Sequence, residues 1–269
     1  MRTLRVLTAL FGVVLALIGV VPAAAQDEPR VTLSTSVNYL VGDYGTGKDT
    51  TLLYVPFTLG VRPFDRFWLN VTIPYLYQST QNVVLTGGGV TVRAKGNGKL
   101  ARPATATAES GLGDVLAKAS LVILEEKEFL PEIVPYFKVK FPTADKDRGL
   151  GTGEFDETIG VDLSKRLVDS LYGYVGFGYT FIGEPSGTTL HNSFGWTVGA
   201  AYAVTQPFSV FAFLEYATAV SPGQSDPVDI RVGAEYRLTS SLKLTGSVLR
   251  GLTNGSADWG VSGGLALRY

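Results

Sequence analysis

The last eleven residues, WGVSGGLALRY from Trp259 to Tyr269, constrain the fold more than any other segment of the sequence. Side chains of an extended strand point alternately to its two sides. One side of this segment is apolar and carries Trp259, Val261, Leu265, Leu267 and Tyr269. The other side carries small or polar residues. An apolar face with an aromatic residue at each end is typical of a strand that crosses a membrane within a β-barrel, where aromatic side chains lie at both interfaces.

The same alternation recurs along the chain, in twelve segments in all. These segments are Leu33–Tyr39, Leu53–Arg62, Leu69–Tyr75, Ala117–Ile123, Tyr136–Phe141, Phe155–Ser164, Val175–Phe181, Phe194–Tyr202, Val210–Tyr216, Val228–Leu238, Leu242–Val248 and Trp259–Tyr269. Most approach the length of about 9–11 residues that a tilted strand needs to cross a bilayer. The ninth segment is ambiguous, because Phe211 and Phe213 fall on the same side as Glu215. No helical period persists, so the pattern predicts an all-β chain.

The connections between these segments alternate in length. The longer ones are polar and rich in glycine, namely Gly42–Thr50, Gln78–Gly113, Thr143–Gly153, Gly183–His191, Ser221–Pro227 and Asn254–Asp258. The tighter ones are Arg62–Arg66, Glu125–Glu132, Leu167–Ser170, Thr205–Pro207 and Thr239–Ser241. Short periplasmic turns and longer outer loops are the pattern of a bacterial outer-membrane barrel. We therefore predict a twelve-stranded antiparallel transmembrane β-barrel. A soluble β-sandwich or propeller is the alternative, but neither of these folds would lead us to expect connections that alternate in length.

The N-terminal segment has the layout of a secretory signal peptide. Arg2 and Arg5 precede an apolar run from Val6 to Val21, and Ala23-Ala24-Ala25 offers a small-residue cleavage site. A membrane-spanning anchor is the alternative, but the run is shorter than the roughly 20 residues that a helical span needs. We expect residues 1–25 to be removed and residues 26–269 to form a single barrel domain in the outer membrane.

Composition excludes several other kinds of protein. The chain contains no cysteine, which rules out disulfides, thiol chemistry and a lipoprotein anchor. Its formal net charge is −1, and so near-neutral a balance gives no indication of a nucleic-acid partner. No spacing typical of a metal site is present, and no cofactor is implied.

Three short motifs carry a family resemblance. They are Gly111-Leu112-Gly113-Asp114, Lys138-Val139-Lys140-Phe141-Pro142-Thr143 and Gly149-Leu150-Gly151-Thr152-Gly153, supported by the Tyr- and Gly-rich segment Tyr172–Gly178. With them the chain resembles a family of bacterial outer-membrane barrels labelled as phenol-degradation (meta-pathway) transporters. The resemblance implies passive uptake or efflux of small hydrophobic or aromatic solutes. A secretion channel for functional amyloid is a similar barrel, but the long helical N-terminal extension of that channel is missing here.

The C-terminal strand also resembles the sorting signal of outer-membrane barrels, which ends on an aromatic residue. Tyr269 is the corresponding residue here. The resemblance implies recognition of this strand by the barrel-assembly machinery. Outer-membrane lipid and lipopolysaccharide are the further partners expected for a barrel of this class.

Inward-facing charges are the candidate functional residues of the lumen. They are Lys118, Lys138, Lys140, Asp162, Glu215, Asp229, Arg231, Glu235, Arg237 and Arg268. Rings of charge select solutes in pores, although oppositely charged neighbours across strands can equally pair and close the lumen. Lys138 and Lys140 have no acid on their own strand, so we expect them to line a path for an anionic or aromatic solute. Asp229–Arg231 and Glu235–Arg237 balance each other and are expected to be structural.

Inward-facing glycines bear on the width of the lumen. They are Gly60, Gly176, Gly178, Gly195, Gly199, Gly233, Gly260 and Gly264. Twelve tilted strands give a backbone diameter of about 24 Å before side chains narrow it. Because glycine has no side chain, we expect these positions to leave the lumen open.

The long segment Gln78–Gly113 carries the basic residues Arg93, Lys95, Lys99 and Arg102 with only Glu109 against them. Val83–Leu85 and Val90–Val92 predict a small hairpin around three glycines, extending outside the barrel or folding into its mouth. Two interpretations stay open for the basic patch. It acts as a gate or a clamp on lipopolysaccharide phosphates, or it is a solvated loop.

Enzymatic catalysis is the rival class of function. The single histidine, His191, precedes Asn192 and Ser193, and a G-x-S-x-G nucleophile turn is absent. Asn and Ser are ordinary residues at the boundary of a loop and a strand. We therefore expect a channel rather than a hydrolase. A closed barrel with a structural or receptor role shares the same sequence features and remains the alternative.

Overall fold

The computed structural model describes residues 30–80, 82–87, 89–92 and 108–269. The predicted signal peptide, residues 1–25, and the basic loop residues Arg93, Lys95, Lys99 and Arg102 lie outside these ranges. None of the described residues forms a helix long and apolar enough to span a membrane.

Fifteen β-strands are found in the described part of the chain. They are β1 (Val31–Gly42), β2 (Thr50–Phe64), β3 (Phe67–Gln78), β4 (Val83–Thr86), β5 (Gly89–Val92), β6 (Glu109–Leu112), β7 (Val115–Leu121), β8 (Glu132–Phe141), β9 (Asp156–Val168), β10 (Leu171–Ile182), β11 (Ser193–Ala203), β12 (Phe208–Ala217), β13 (Val228–Arg237), β14 (Leu242–Gly251) and β15 (Trp259–Arg268). Each pairs antiparallel with its neighbours.

Twelve of these strands form a closed barrel, as the sequence predicts. The order runs β1, β2, β3, β7 and then consecutively to β15, which pairs with β1 and closes the ring. At the closure the Tyr269 backbone N–H donates to the Val31 carbonyl at 2.9 Å. The short strand β6 continues the line of β7 along β3, and β4 with β5 forms a separate hairpin. Closure leaves no unpaired edge, which is the condition for crossing a bilayer with strands.

The two ends of the barrel differ in their connections. At one end, here called the turn end, links are as short as Asp65-Arg66 between β2 and β3, where Arg66 takes the left-handed φ of 72° that so tight a reversal demands. The opposite end, here called the loop end, carries the longer connections, including residues 79–114 and 142–155. β1 begins and β15 ends at the turn end, which is the arrangement of the first and last strands in outer-membrane barrels.

The outer wall is apolar, with aromatic side chains near both ends. Val37, Phe57 and Val248 are each more than half exposed on this outer face. Tyr39 and Trp259 pack with their ring centroids 5.7 Å apart near the loop end, and Phe64 and Phe67 lie 6.5 Å apart at the turn end. An apolar band between aromatic belts is the surface that a lipid bilayer covers.

The wall is interrupted on either side of the β2–β3 pair. Pro56 and Pro74 lie directly opposite each other on these strands, and neither has a backbone N–H to donate. The Arg62 N–H donates to the Arg30 carbonyl, on the side of β1. Arg62 follows Pro56 by six residues, an even number, so the position of the missing N–H of Pro56 also faces β1. The missing donor of Pro74 faces β7, where the pairing slips by one residue at Gly113. This slip is a β-bulge.

Candidate functional site

The β4–β5 hairpin lies inside the barrel at the loop end. Val83 and Val84 on β4 are only 0% and 2% exposed. Val83 belongs to an apolar cluster with residues of the wall and loops, namely Leu40, Tyr44, Leu52, Leu249 and Ala257. Leu85 packs against this cluster and against a second one formed by Tyr54, Leu76, Ala144 and Leu150. Of the two positions that the sequence leaves open for the hairpin, the structure shows the inward one.

Tyr44 shows that this packing is closed to solvent. It lies in the loop between β1 and β2, only 2% exposed, within the cluster that holds the hairpin. Burial, together with the nearby carboxylates of Asp229 and Asp258, raises the pKa of its phenol well above the ordinary value. The side chain therefore stays neutral and acts as part of the apolar packing.

The tip of the hairpin is attached to the wall by polar contacts. The Gly87 N–H donates to Asp156 Oδ2 at 2.6 Å, and the Gly87 carbonyl accepts from Lys138 Nζ at 3.0 Å. A Cβ atom at this position would lie 2.8 Å from the Cβ of Asp156 and 3.2 Å from Cγ2 of Thr180. Only glycine allows so close an approach of the tip to β9 and β10.

Lys140 joins the family motifs into one network. Its ammonium group lies 2.7 Å from Asp114 Oδ2 and 3.4 Å from Asp156 Oδ2, and it also donates to Thr152 Oγ1 at 3.2 Å. The bulge beside Gly113 turns Asp114 inward, where its second oxygen accepts from the Ala144 N–H at 2.9 Å. The three motifs recognised in the sequence therefore meet at this point, and their charges hold the loop end together.

The middle of the lumen contains a further ion pair. Lys118 Nζ lies 3.5 Å from Asp162 Oδ2 and 4.0 Å from the ring centroid of Tyr136. The Tyr136 ring in turn lies directly over Gly160 on the neighbouring strand. A cation held between a carboxylate and an aromatic face is doubly stabilised.

An aromatic cluster lines the lumen towards the turn end of β10–β12. We call this cluster the aromatic wall, and its members are Tyr172, Tyr174, Ala201, Phe211 and Phe213. Phe213 lies 5.8 Å from Tyr174 and 5.7 Å from Phe211 between ring centroids. The ambiguous ninth segment is thus resolved, because its two phenylalanines face inward with Glu215.

This wall corrects one expectation from the sequence. The sequence predicts that inward glycines leave the lumen open, but the Phe213 ring covers Gly199 and the Phe211 ring covers Gly233. Gly260 is likewise covered by Leu40. The missing side chain is filled by a neighbouring strand, so these glycines make room for larger side chains rather than for water. The sequence signal was present, since Tyr172 and Tyr174 continue the inward face of Gly176.

The charges of β12–β14 pair across strands rather than along them. Arg231 donates to both carboxylate oxygens of Glu215 at 3.2 and 3.3 Å. Glu235 pairs with Lys243 on β14 at 2.9 Å, with both side chains almost fully buried. The expectation that Asp229 balances Arg231 and Glu235 balances Arg237 is therefore wrong. Lys243 was not among the candidates, although it shares the inward side of its strand with Thr245 and Ser247.

Four remaining candidates lie at the ends of the barrel. Arg237 and Arg268 are half-buried at the turn end, where both act electrostatically on Lys243. Asp229 is half-buried near the loop end of β13. Tyr269, the residue of the sorting signal, is exposed.

The histidine segment does not form a catalytic arrangement. His191 is exposed, and the Ser193 hydroxyl donates to the Thr218 carbonyl at 2.8 Å. Asn192 accepts from the Ile182 N–H, as residues at strand boundaries often do. Within the ranges that the structure describes, no group of three or more His, Cys, Asp and Glu side chains could hold a metal ion.

Comparisons with known proteins agree with this architecture. The outer-membrane channel COG4313 from Pseudomonas putida F1 has a TM-score of 0.69, at 14% identity over 91% of this chain and 97% of that one. The NanC porin has a TM-score of 0.56, at 10% identity over 88% of this chain and all of that one. A KdgM porin in complex with disordered oligogalacturonate has a TM-score of 0.51, at 11% identity over 88% and 99%. These similarities show a fold shared with bacterial outer-membrane barrels.

Family membership rests on the sequence. No curated protein sequence matches the chain. A family model matches residues 50–269, a range that includes the three motifs that meet around Lys140. The resemblance found in the sequence is thereby confirmed. The chain belongs to the family described as "Putative MetA-pathway of phenol degradation".

Proposed function

We propose that the protein is a channel of the bacterial outer membrane that passes small hydrophobic or aromatic solutes passively, and that it has no enzymatic activity. The observation that carries this proposal is the closed barrel with an apolar exterior and a lumen lined by charges and aromatic rings. A barrel with this distribution of side chains offers solutes a route lined by protein across the membrane.

The lumen supports a route with two stages. At the loop end the inserted hairpin narrows the entrance, and its attachment through Lys138 and Asp156 restricts passage to small molecules. Beyond it, the aromatic wall narrows the lumen, since Phe211, Phe213 and Tyr174 pack against one another and are at most 7% exposed. The predicted lumen-lining lysines therefore act on the solute partly through the hairpin that they hold.

The surroundings of the barrel follow from its surface. We propose that the apolar outer face contacts membrane lipid, and that the basic residues of the segment after the hairpin contact lipopolysaccharide. The C-terminal strand, with Tyr269 exposed beyond it, supports recognition by the barrel-assembly machinery. Export requires the predicted signal peptide, with cleavage between Ala25 and Gln26.

Single-channel conductance in a planar bilayer tests the proposal, using residues 26–269 refolded in detergent. We expect small, steady openings, and faster entry of benzyl alcohol into liposomes that contain the barrel than into the same liposomes without it. A folded barrel that shows no conductance and does not increase solute entry over liposomes without it contradicts the channel function. Mass-spectrometric detection of the leader removed in an exporting host tests the cleavage site separately.

A closed barrel with a structural or receptor role is the second candidate. The observation in its favour is the hairpin that fills the loop end with the buried side chains Val83 and Val84. This candidate predicts silence in the bilayer even after the hairpin has been shortened, whereas a channel opens wider when the hairpin is removed.

A further inference from the structure

We propose that the inner surface of the barrel across the lumen from the aromatic wall binds a small polyol, an uncharged molecule with several hydroxyl groups. The inference goes beyond the hydrophobic and aromatic solutes of the proposed function. We call this surface the hydroxyl face. It consists of the inward serine, threonine and asparagine side chains of β14, β15, β1, β2 and β3, which are neighbours in the ring of strands.

The exposure of the inward side chains shows where the lumen is open. The rings of the aromatic wall are at most 7% exposed, so their side of the lumen is filled. On the hydroxyl face, Ser34, Thr58, Asn70 and Ser262 remain half-buried. Their direction follows from the alternation along each strand, since Leu33, the neighbour of Ser34, is 45% exposed on the lipid side. Solvent and small solutes therefore reach these polar side chains from within the lumen.

The strand register brings three of these side chains together near the turn end. Ser34 lies directly opposite Thr58 on β2, and Gly60, the next inward position of β2, lies opposite Asn70 on β3. Paired strands are about 4.8 Å apart, and successive inward residues of one strand are about 7 Å apart. A Cβ atom at Gly60 would lie 2.6 Å from Asn70 Oδ1, so the Asn70 amide leans across Gly60 towards β1. One small molecule can thus contact all three side chains.

These side chains have hydrogen-bonding capacity to spare. In the part of the chain that the structure describes, neither the Ser34 hydroxyl nor the Asn70 amide has a hydrogen-bond partner. The Thr58 and Thr72 hydroxyls lie 2.8 Å apart, and their bond uses only one of the two hydroxyl protons. Hydroxyl and amide groups both donate and accept hydrogen bonds. The site therefore offers a ligand several donors and acceptors without a net charge.

The charges around the hydroxyl face favour an uncharged ligand. Within the described ranges, no aspartate or glutamate faces inward on these five strands. The inward cation Lys243 is paired with Glu235 at 2.9 Å, and Arg268 lies opposite Thr32, at the edge of the site.

The number of free polar groups decides the chemical class of the ligand. A hydrocarbon leaves all of them without partners, and a molecule with one hydroxyl group satisfies few of them. A polyol carries hydroxyl groups on neighbouring carbon atoms, each able to donate and to accept. It can therefore form hydrogen bonds with Ser34, Thr58 and Asn70 at the same time, and each of these bonds adds to the affinity.

Binding is tested by saturation-transfer NMR titration of the folded barrel in a detergent without sugar headgroups. The probes are xylitol, pentane-1,5-diol and gluconate. We expect xylitol to bind at least about fivefold more tightly than pentane-1,5-diol, which has the same carbon chain and fewer hydroxyl groups. Equal affinity of these two, or no binding of xylitol, overturns the proposal. Tighter binding of gluconate than of xylitol assigns the site to Arg268 and overturns the uncharged class.

Variants locate the site. Ser34→Ala with Asn70→Ala should weaken xylitol at least about fivefold and leave pentane-1,5-diol within about twofold. The matched control is Thr35→Ala, which removes a hydroxyl group from the next residue of β1, on the lipid side. It should leave both affinities unchanged. Equal loss of xylitol affinity in the control and in the double variant overturns the assignment.

Chemical-shift mapping on the unsubstituted protein guards against misfolding as an explanation. Xylitol should shift the amide resonances of residues 32–34, 58–60 and 70–72 more than those of β10–β12. Larger shifts on β10–β12 contradict the placement of the site. Since these measurements require no transport, polyol binding without conductance refutes only the channel function. Conductance without polyol binding refutes only the hydroxyl site.

Discussion

The loop-end half and the turn-end half of the lumen are filled in different ways. At the loop end, Lys138 and Lys140 are engaged by the hairpin tip and by Asp114 and Asp156. At the turn end, the buried rings of the aromatic wall pack beside the ion pair of Glu235 with Lys243. Polar contacts attach an inserted segment to the wall at one end, whereas packed rings narrow the lumen directly at the other.

Removing the hairpin should have the largest effect. Replacing residues 82–92 by a short Gly-Ser linker takes the buried valines out of the lumen and should raise single-channel conductance several-fold. The wall strands do not depend on the hairpin for their own ladders, so the barrel should still fold. A matched replacement of residues 222–226, in another loop-end connection, should leave conductance unchanged. Equal conductance with and without the hairpin would show that the turn end limits flow.

Removing the charge of Lys140 should have the next largest effect. Lys140→Gln leaves Asp114 and Asp156 facing each other in a buried site, which should lower the free energy of unfolding by about 3 kcal/mol. Lys165→Gln is the control, because its pair with Glu126 lies near the turn end and is partly solvated. That substitution should cost less than about 1 kcal/mol. Urea unfolding followed by tryptophan fluorescence measures both, and equal costs would contradict the contrast between the two halves.

The sequence predicts the barrel far better than it predicts the lumen. Each wall strand has one side that faces lipid, so alternation along a single strand is sufficient to identify it. Contacts inside the lumen depend on register between strands, which one strand does not encode. Glu235 illustrates this, because Arg237 lies two residues away along the strand and yet the partner is Lys243 on the next strand.

The direction of the hairpin was equally beyond the sequence. Val83 and Leu85 suit an exposed hairpin edge as well as a buried one, and their environment is decided by Leu40, Leu52 and Leu76, which are distant in the chain. The aromatic wall was concealed for a related reason. Phe211 and Phe213 alternate with apolar residues on the lipid side, so their segment has no polar face that marks the lumen.

Gly87 offers a smaller and sharper test of the loop end. In Gly87→Ala the new methyl group meets Asp156 Cβ and Thr180 Cγ2, neither of which is the flexible end of a side chain. The tip must withdraw, which should cost about 1–2 kcal/mol of stability and increase fluctuations of the open-channel current. Gly263→Ala is the control, since no heavy atom lies within 4 Å of the added methyl group. Identical current noise in the two variants would show that the tip is not attached as described.

The interrupted wall beside β2 and β3 should give the smallest effect. Pro56→Ala restores an N–H that faces the Ser36 carbonyl. The new hydrogen bond should raise the free energy of unfolding by about 1 kcal/mol, and the loss of proline rigidity should partly offset this increase. In Pro74→Ala the restored N–H faces the bulge, where the Gly113 carbonyl already accepts from Thr143 Oγ1 at 3.4 Å. The increase in the free energy of unfolding should therefore be smaller. Hydrogen exchange measures the difference directly. The new amide at position 56 should be protected from exchange more strongly than the new amide at position 74, because only the first lies in a strand pairing without a bulge. Equal protection of the two amides would mean that the bulge leaves the wall intact.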